Sequence, residues 1–208
     1  MQPNPILLLT TTLLLAGTAC AGPAPAPEQP STPPPATTSA SPSATSAASP
    51  TPVSDAAIAT QFLAKREQFG ACQDEYRPLE NNQGTVAYRI NDQTYLVQVQ
   101  CFLAAYQGNY EFFAYAPATD TAKKLTVTQY SQDEQGQWQK AENPSVGGLP
   151  DFDATTQTLI INTKYRGLGD CGSVGTYTFA ENSLKLTEFK AKAECDGKME
   201  PFVTVYPQ

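Results

Sequence analysis

Residues 95–103 read Tyr95-Leu96-Val97-Gln98-Val99-Gln100-Cys101-Phe102-Leu103, and this stretch decides the fold. Successive side chains of a β-strand point to opposite faces of the sheet, so an apolar residue at every second position predicts one buried face. The polar segment Asn91-Asp92-Gln93 that precedes the stretch predicts a turn. The apolar face consists of Tyr95, Val97, Val99, Cys101 and Leu103.

The same two-residue period continues on both sides of this strand and predicts a mainly β, antiparallel domain. Residues 86–90 alternate before the turn, and short apolar runs separated by turn residues follow the strand. Residues 142–150 contain Pro144, Gly147 and Gly148 and are predicted to form a loop. The further strands are predicted at Tyr110–Ala116, Leu125–Tyr130, Thr158–Thr163, Thr176–Ala180, Leu184–Lys190 and Phe202–Tyr206.

One N-terminal helix is predicted before the first strand. Ser54 is a suitable cap for a helix that continues to about Phe69, and Gly70 would end it. Ile58, Phe62 and Phe69 lie on one face of this helix. The apolar face predicts that the helix packs against the sheet.

A weak internal repeat relates two parts of the chain at an offset of 59 residues. Tyr106-Gln107-Gly108 matches Tyr165-Arg166-Gly167, and Leu125–Tyr130 matches Leu184–Phe189. Both longer segments break the alternation in the same way, as a β-bulge would. The alternative is coincidence between amphipathic strands. A real repeat would make the domain two similar antiparallel units, packed as a sandwich or a barrel.

Composition and charge exclude several classes of function. The chain has 208 residues, 13 basic and 20 acidic side chains and no histidine, so its formal net charge is −7. Without histidine there is no Ser–His or Cys–His pair, and an acidic chain lacks the basic footprint of a nucleic-acid-binding protein. We therefore expect no nucleic-acid partner. Residues 54–208 have the length of one domain and are predicted to form a single β-rich unit.

The N-terminal segment predicts export. Residues 1–19 contain an apolar run from Ile6 to Ala16, which is too short to span a bilayer but typical of a signal peptide. Gly17-Thr18-Ala19-Cys20 resembles a bacterial lipobox, which predicts cleavage before Cys20 and lipid attachment to its sulfur. The alternative is an ordinary signal peptide that is cut after Ala19 or Ala21.

Residues 20–53 are predicted to be a disordered tether that follows the lipid-attachment cysteine. Residues 21–53 consist almost entirely of Pro, Ala, Ser and Thr, which cannot bury enough apolar surface to form a core. The prolines favour an extended, semi-rigid chain. The N-terminal region as a whole predicts a lipoprotein of the bacterial cell envelope that is held at the membrane through Cys20.

Four cysteines remain if Cys20 carries a lipid. An exported protein enters an oxidising compartment, so these four are expected to form disulfides. Three pairings are possible, and the short loops favour Cys72–Cys101 and Cys171–Cys195. No two cysteines have C-x-x-C spacing, so neither a thioredoxin-like motif nor a zinc site is predicted.

Two motifs look like ligand sites but are interpreted as turns. Residues 167–172 have the pattern G-x-G-x-x-G, yet the residues after them predict a strand and not the helix that a dinucleotide site needs. Asp151-Phe152-Asp153 lacks the further ligands and the glycine of a calcium loop. The acidic pairs Asp74-Glu75 and Asp133-Glu134 lie in polar segments. We therefore predict no catalytic residue, no metal and no cofactor.

Aromatic side chains are the candidates for ligand contacts. Their rings could stack on sugars or hold a peptide. The alternative is that they belong to the core or to cross-strand pairs. The candidates are Tyr106, Tyr110, Tyr115, Trp138 and Tyr177.

The C-terminal part, residues 82–208, resembles an uncharacterised family of bacterial exported proteins with paired cysteines. The resemblance implies export and a disulfide between Cys171 and Cys195. It implies no activity, because the family is a domain of unknown function. It is carried by the Gly-x-Gly-Asp-Cys-Gly motif within Tyr165–Gly172, by Tyr177-Thr178-Phe179, by Leu184–Phe189 and by Cys195-Asp196-Gly197.

These features favour a non-catalytic module of the cell envelope that binds a protein or a glycan. One alternative is an envelope hydrolase or a thiol-redox enzyme that uses carboxylates or Cys171. Another is a purely structural envelope protein. A binding module would show a patch of exposed aromatic side chains, whereas an enzyme would show a cleft with two acids or a free thiol.

Overall fold

The computed structural model describes residues 55–77, 79–80 and 83–208. The predicted signal peptide at residues 1–19, lipid attachment at Cys20, the tether at 20–53 and the cap at Ser54 lie outside the described residues. Within the described part of the chain, no helix has both the length and the apolar character that crossing a membrane requires.

The described part is mainly β with one α-helix, which confirms the predicted fold class. The helix α1 is Ala56–Ala64, and a short 3-10 helix follows at Gln73–Glu75. All strand pairs are antiparallel. The strands are β1 Val86–Arg89, β2 Tyr95–Leu103, β3 Gly108–Ala116, β4 Thr121–Leu125, β5 Val127–Gln132, β6 Trp138–Asn143, β7 Val146–Asp153, β8 Thr158–Lys164, β9 Gly172–Ala180, β10 Ser183–Lys192 and β11 Val203–Tyr206.

One long sheet carries most of these strands in the order β1-β2-β3-β7-β8-β9-β10-β11, and β4 also pairs with β3. The hairpin β5–β6 forms a separate two-stranded sheet. The end strands β1 and β11 are not paired with each other in the described chain, so the sheet is not a closed barrel. Its two halves share one core, which contains Leu96 and Phe112 from the first half and Leu159 and Phe179 from the second. Of the two predicted arrangements, the sandwich-like one describes the protein.

Both halves of the sheet contain antiparallel hairpins, but the hairpins are not related by the offset of 59 residues, which places the β3–β4 turn inside β9. The hairpin β3–β4 pairs Ala116 with Thr121, and the hairpin β9–β10 pairs Ala180 with Ser183. The two copies differ where the alternation breaks. The second copy has a register shift between Leu186 and Glu188, as a bulge requires, whereas the first copy leaves the main sheet between β4 and β5. The prediction of the same bulge in both copies is therefore wrong.

The helix α1 is shorter than predicted. Asp55 caps it by accepting a hydrogen bond from the Ile58 amide at 3.1 Å, and the helix ends at Ala64 instead of Phe69. Residues 65–70 form turns up to Gly70, which has a φ of 64°. The ring of Phe62 is fully buried and lies 5.0 Å from the Phe113 ring, so the apolar face packs on the sheet as expected.

The loop predicted at residues 142–150 is instead the end of β6 and the first half of β7. Gly148 lies opposite Gly108 of β3, and a Cβ atom at Gly148 would come within 2.8 Å of the Ile161 side chain. The glycine therefore allows two neighbouring strands to approach closely. Glycine is misleading as a loop signal here, because Gly147 and Gly148 lie in β7, whereas Pro144 lies in the short connection between β6 and β7.

Candidate functional site

Three of the five aromatic candidates belong to the core. Tyr115 and Tyr177 are almost fully buried, and Tyr110 is 9% exposed. The hydroxyl of Tyr177 donates a hydrogen bond to the carbonyl oxygen of Thr128 at 2.8 Å, so its polar atom is satisfied inside the protein. Tyr110, Tyr115 and Tyr177 are therefore core residues and not surface contacts for a ligand. Tyr110 and Tyr115 lie on opposite faces of β3 and belong to different core clusters, because both faces of this strand are covered.

Tyr106 is exposed but has a partner within the protein. Its hydroxyl donates to the main-chain oxygen of Tyr165 at 3.3 Å. Its ring lies over the backbone of Gly167, where a Cβ atom would stand 3.5 Å from the ring. Tyr106 therefore joins two loops.

Trp138 lies half-buried at the start of β6 in a row of aromatic rings. Tyr130 of β5 and Tyr206 of β11 are in the same row, with their ring centroids 6.1 Å apart and their planes inclined by 20°. Tyr130 also lies 5.5 Å from the ring of Phe189 in β10. The sequence does not single out Tyr130 and Tyr206, because only the departure of the β5–β6 hairpin from the main sheet places them beside Trp138.

Three adjoining cavities follow this row and together form what we call the aromatic groove, defined by Tyr130, Trp138, Lys192, Val203, Val205 and Tyr206. Their volumes are about 280, 240 and 260 Å³. Trp138 lines the first and second cavities, and Tyr130 and Tyr206 line the second and third. Because neighbouring cavities share aromatic walls, they follow one another along the surface, as the binding sites for an extended ligand would.

Acidic side chains surround one lysine at the end of the groove near Trp138. The Lys192 ammonium lies 2.7 Å from the Asp196 carboxylate and 3.7 Å from that of Glu200. The hydrogen bond from Lys192 lowers the pKa of Asp196, and the same bond raises the pKa of Lys192. Both groups are therefore charged at neutral pH. Asp196 is suited to an ion pair and not to proton donation, because a general acid needs a raised pKa.

The Gly-x-Gly-Asp-Cys-Gly motif has a structural role, because its aspartate holds the loop before β9 to the segment around Gly197. Asp170 is buried, receives two hydrogen bonds from the Arg166 guanidinium, and accepts a third from the Gly197 amide. These bonds, with Arg166 first, lower the pKa of the Asp170 carboxyl. Strand β9 begins at Gly172, so the loop leads into a strand and not into a helix.

All four cysteines of the domain form disulfides in the favoured pairing, Cys72–Cys101 and Cys171–Cys195. Cys72, Cys101 and the buried Glu111 bring their ligand atoms within 4.8 Å of one another. The sulfurs are joined to each other, so they are not metal ligands in this form. The Glu111 carboxylate instead accepts from the Cys72 amide and pairs with Lys124, both at 2.9 Å.

The fold and the groove together define a class of protein: an antiparallel β domain with two disulfides and an aromatic surface groove. The chain belongs to the family described as "Protein of unknown function (DUF1176)", whose model matches residues 12–206. This confirms the resemblance to a domain of unknown function and extends it beyond residues 82–208 to most of the chain. No curated protein and no solved structure matches the chain.

Proposed function

We propose that the protein is an exported lipoprotein of the bacterial cell envelope whose β domain binds a glycan chain in the aromatic groove without catalysis. The signal-like segment and Cys20 support export and anchoring. Two disulfides in a domain of this size also support an oxidising compartment.

The aromatic row across three adjoining cavities carries the binding part of the proposal. An extended chain of sugar rings offers repeated flat faces, and aromatic rings placed in succession can stack on such faces. The rings of Tyr130 and Tyr206 are stacked on each other and together supply one aromatic wall of the row. Trp138 extends the row into the next cavity.

The backbone of β10 is not free to pair with a peptide in the groove. Strand β10, which runs beneath the groove, is already paired with β9 on one side and β11 on the other. Strand β11 lies at the end of the sheet and pairs on one side only, so addition of a peptide strand to β11 is the competing mode of binding. The preference for a glycan rests on the side chains of the groove, where the rings of Tyr130, Trp138 and Tyr206 provide the contacts.

The charges in the groove support binding without catalysis. Glycoside hydrolysis uses a carboxylic acid with a raised pKa beside a second carboxylate. The pKa of Asp196 is lowered by Lys192, and the pKa of Glu142, at the opposite end, is also lowered. Desolvation is the largest single influence on the pKa of Glu142 and raises it, but hydrogen bonds from Thr128, Lys140 and Thr126 together outweigh it.

Tryptophan fluorescence offers a direct test, because Trp138 is the only tryptophan of the chain. We expect the tetrasaccharide of N-acetylglucosamine to change the emission of the full chain, purified in detergent, in a saturable way. Tyr206→Ala should weaken this binding ~3–10-fold. Tyr76→Ala, which changes a half-buried tyrosine outside the groove, is the matched control and should leave it unchanged.

The outcomes distinguish a glycan-binding groove from a peptide-binding protein and from a structural envelope protein. Equal loss of affinity in both tyrosine variants would overturn the groove as the binding site. Saturable binding of extended peptides without binding of any oligosaccharide would replace the glycan with a protein partner. Absence of both would favour the structural envelope protein.

The anchoring part has its own test. Intact mass measurement on protein isolated from its native envelope should show a lipid-modified Cys20 at the N-terminus. Cys20→Ser should release the protein from the membrane fraction. An N-terminus at Cys20 without lipid, or one at Gly22, would instead identify an ordinary signal peptide and overturn the anchor.

A further inference from the structure

A fourth cavity of about 200 Å³ lies beside the aromatic groove and shares Tyr130 with it. We call it the amide pocket and define it by Gln129, Tyr130, Asn143, Tyr165 and Ser173, with Ser131 and Ala141 completing its wall. Ser131, Ala141 and Tyr165 are exposed at its mouth, and Ser173 is 3% exposed at its base. The pocket is therefore open to solvent, and it borders the groove at Tyr130.

The lining of the amide pocket is polar but carries no charge in the described chain. The amide of Asn143 donates to the Gln129 side-chain oxygen at 3.0 Å, so the two amides hold each other in place. Burial raises the pKa of the Tyr165 hydroxyl, although a hydrogen bond with Ser173 opposes this. Amides and hydroxyls in this form both donate and accept hydrogen bonds.

The loop that carries Tyr165 is fixed from the other half of the sheet. The Gln107 side chain accepts from the Lys164 amide at 3.0 Å and donates to the Lys164 oxygen at 3.2 Å. Tyr106 adds its bond to the oxygen of Tyr165. The loop is therefore already ordered before a ligand binds, which reduces the entropy cost of binding.

We propose that the amide pocket binds one uncharged sugar ring of the glycan chain and discriminates against charged sugars. This inference rests on the proposed function of the aromatic groove. A sugar ring in the pocket would find the aromatic side chain of Tyr165 together with amide and hydroxyl partners, as a small polar ligand requires. A carboxylate or an ammonium brought into the pocket would lose water without gaining an opposite charge, which is unfavourable.

The test compares two probes on the full chain by calorimetry: the uncharged tetrasaccharide of N-acetylglucosamine and the anionic tetrasaccharide of galacturonic acid. We expect tighter binding of the uncharged probe. Asn143→Ala should weaken it ~10-fold, because it removes a pocket hydrogen-bonding group and frees Gln129. Asn162→Ala, an exposed asparagine of β8 outside the pocket, is the matched control and should not change the affinity.

A second variant adds function instead of removing it. Ala141 is exposed at the mouth of the pocket, so Ala141→Lys should fold normally and place a positive charge there. We expect it to raise the affinity for the anionic probe ~5-fold and to leave the uncharged probe unaffected.

Failure of the inference and failure of the proposed function are distinguishable. Equal affinity for both probes, together with no difference between the Asn143 and Asn162 variants, would overturn the role of the amide pocket while leaving the groove intact. Loss of binding in Trp138→Ala would show that the groove is still the site. Absence of binding for both probes in the unaltered chain would overturn both.

Discussion

The Tyr106 hydroxyl donates to the main-chain oxygen of Tyr165, and these residues are 59 positions apart, which is also the offset of the internal repeat. The Lys123 ammonium donates to the main-chain oxygen of Asn182 at 3.0 Å with the same separation of 59. Lys123 lies within β4, whereas Asn182 lies in the turn between β9 and β10, so the equal separation in sequence does not make these positions structurally equivalent. The contact of Tyr106 joins the two halves of the sheet and positions the loop that borders the amide pocket.

Gln107 should contribute more to the stability of this contact between the two halves of the sheet than Tyr106 does. It makes two hydrogen bonds to the Lys164 backbone, both partly buried, whereas Tyr106 makes one exposed bond. We expect Gln107→Ala to lower the free energy of unfolding by ~1–2 kcal/mol and Tyr106→Phe by ~0.5 kcal/mol, as measured by urea denaturation. Equal effects of the two substitutions would contradict this account of the contact.

Asp170 should stabilise the domain in a pH-dependent way. Its folded-state pKa is lowered, mainly by Arg166, so its contribution is fully present above the unfolded-state pKa of ~3.9 and is lost as the pH falls toward the folded-state value. Asp170→Asn should therefore lower the melting temperature by several degrees at pH 7, and the difference from the unaltered chain should shrink between pH 4 and pH 2.

The control for this prediction is Asp74→Asn, because Asp74 is an exposed carboxylate in the short 3-10 helix. It should leave the melting temperature unchanged across the same range. A melting difference for Asp170→Asn that persists undiminished at pH 2 would show that the substitution acts through packing and not through charge.

The β fold is predictable because alternation is a local property of the sequence. The limits of β2, Tyr95–Leu103, agree with the sequence pattern, and both disulfides follow from proximity along the chain. The groove is not predictable in this way. Tyr130 and Tyr206 are 76 residues apart in sequence, and only the separation of β5 from β4 at Thr126 brings their rings together.

The incorrect prediction of a loop at residues 142–150 has a different cause. Proline and glycine usually interrupt strands, so Pro144, Gly147 and Gly148 indicate a loop when only the sequence is considered. In the folded chain Gly148 lies where β7 meets both β3 and β8, and only the absence of a side chain allows this approach. Local signals do not distinguish a glycine that bends the chain from one that accommodates a neighbour.

Gly148 and Gly147 offer a matched pair that tests this explanation. A Cβ atom at Gly148 would come within 2.8 Å of the Ile161 side chain, whereas one at Gly147 would lie in ordinary contact with the end of the Gln107 side chain at 3.4 Å. We expect Gly148→Ala to destabilise the domain by ~1–3 kcal/mol, as overpacking does, and Gly147→Ala to have a much smaller effect in the same urea titration. Similar effects at both positions would contradict the close-approach explanation.

The two disulfides should differ in their sensitivity to reduction. Cys72 and Cys101 are 4% and 1% exposed, whereas Cys195 of the other bridge is exposed and open to attack by a thiolate. Dithiothreitol without denaturant should therefore reduce Cys171–Cys195 first, and alkylation followed by peptide mass measurement would identify the bridge.

The two bridges close loops of similar length, 29 and 24 residues, so loss of either should cost ~3 kcal/mol of stability. The order of reduction must therefore arise from access to the sulfurs alone. Earlier labelling of Cys72 and Cys101 would show that the segment around the short 3-10 helix opens more readily than its burial implies.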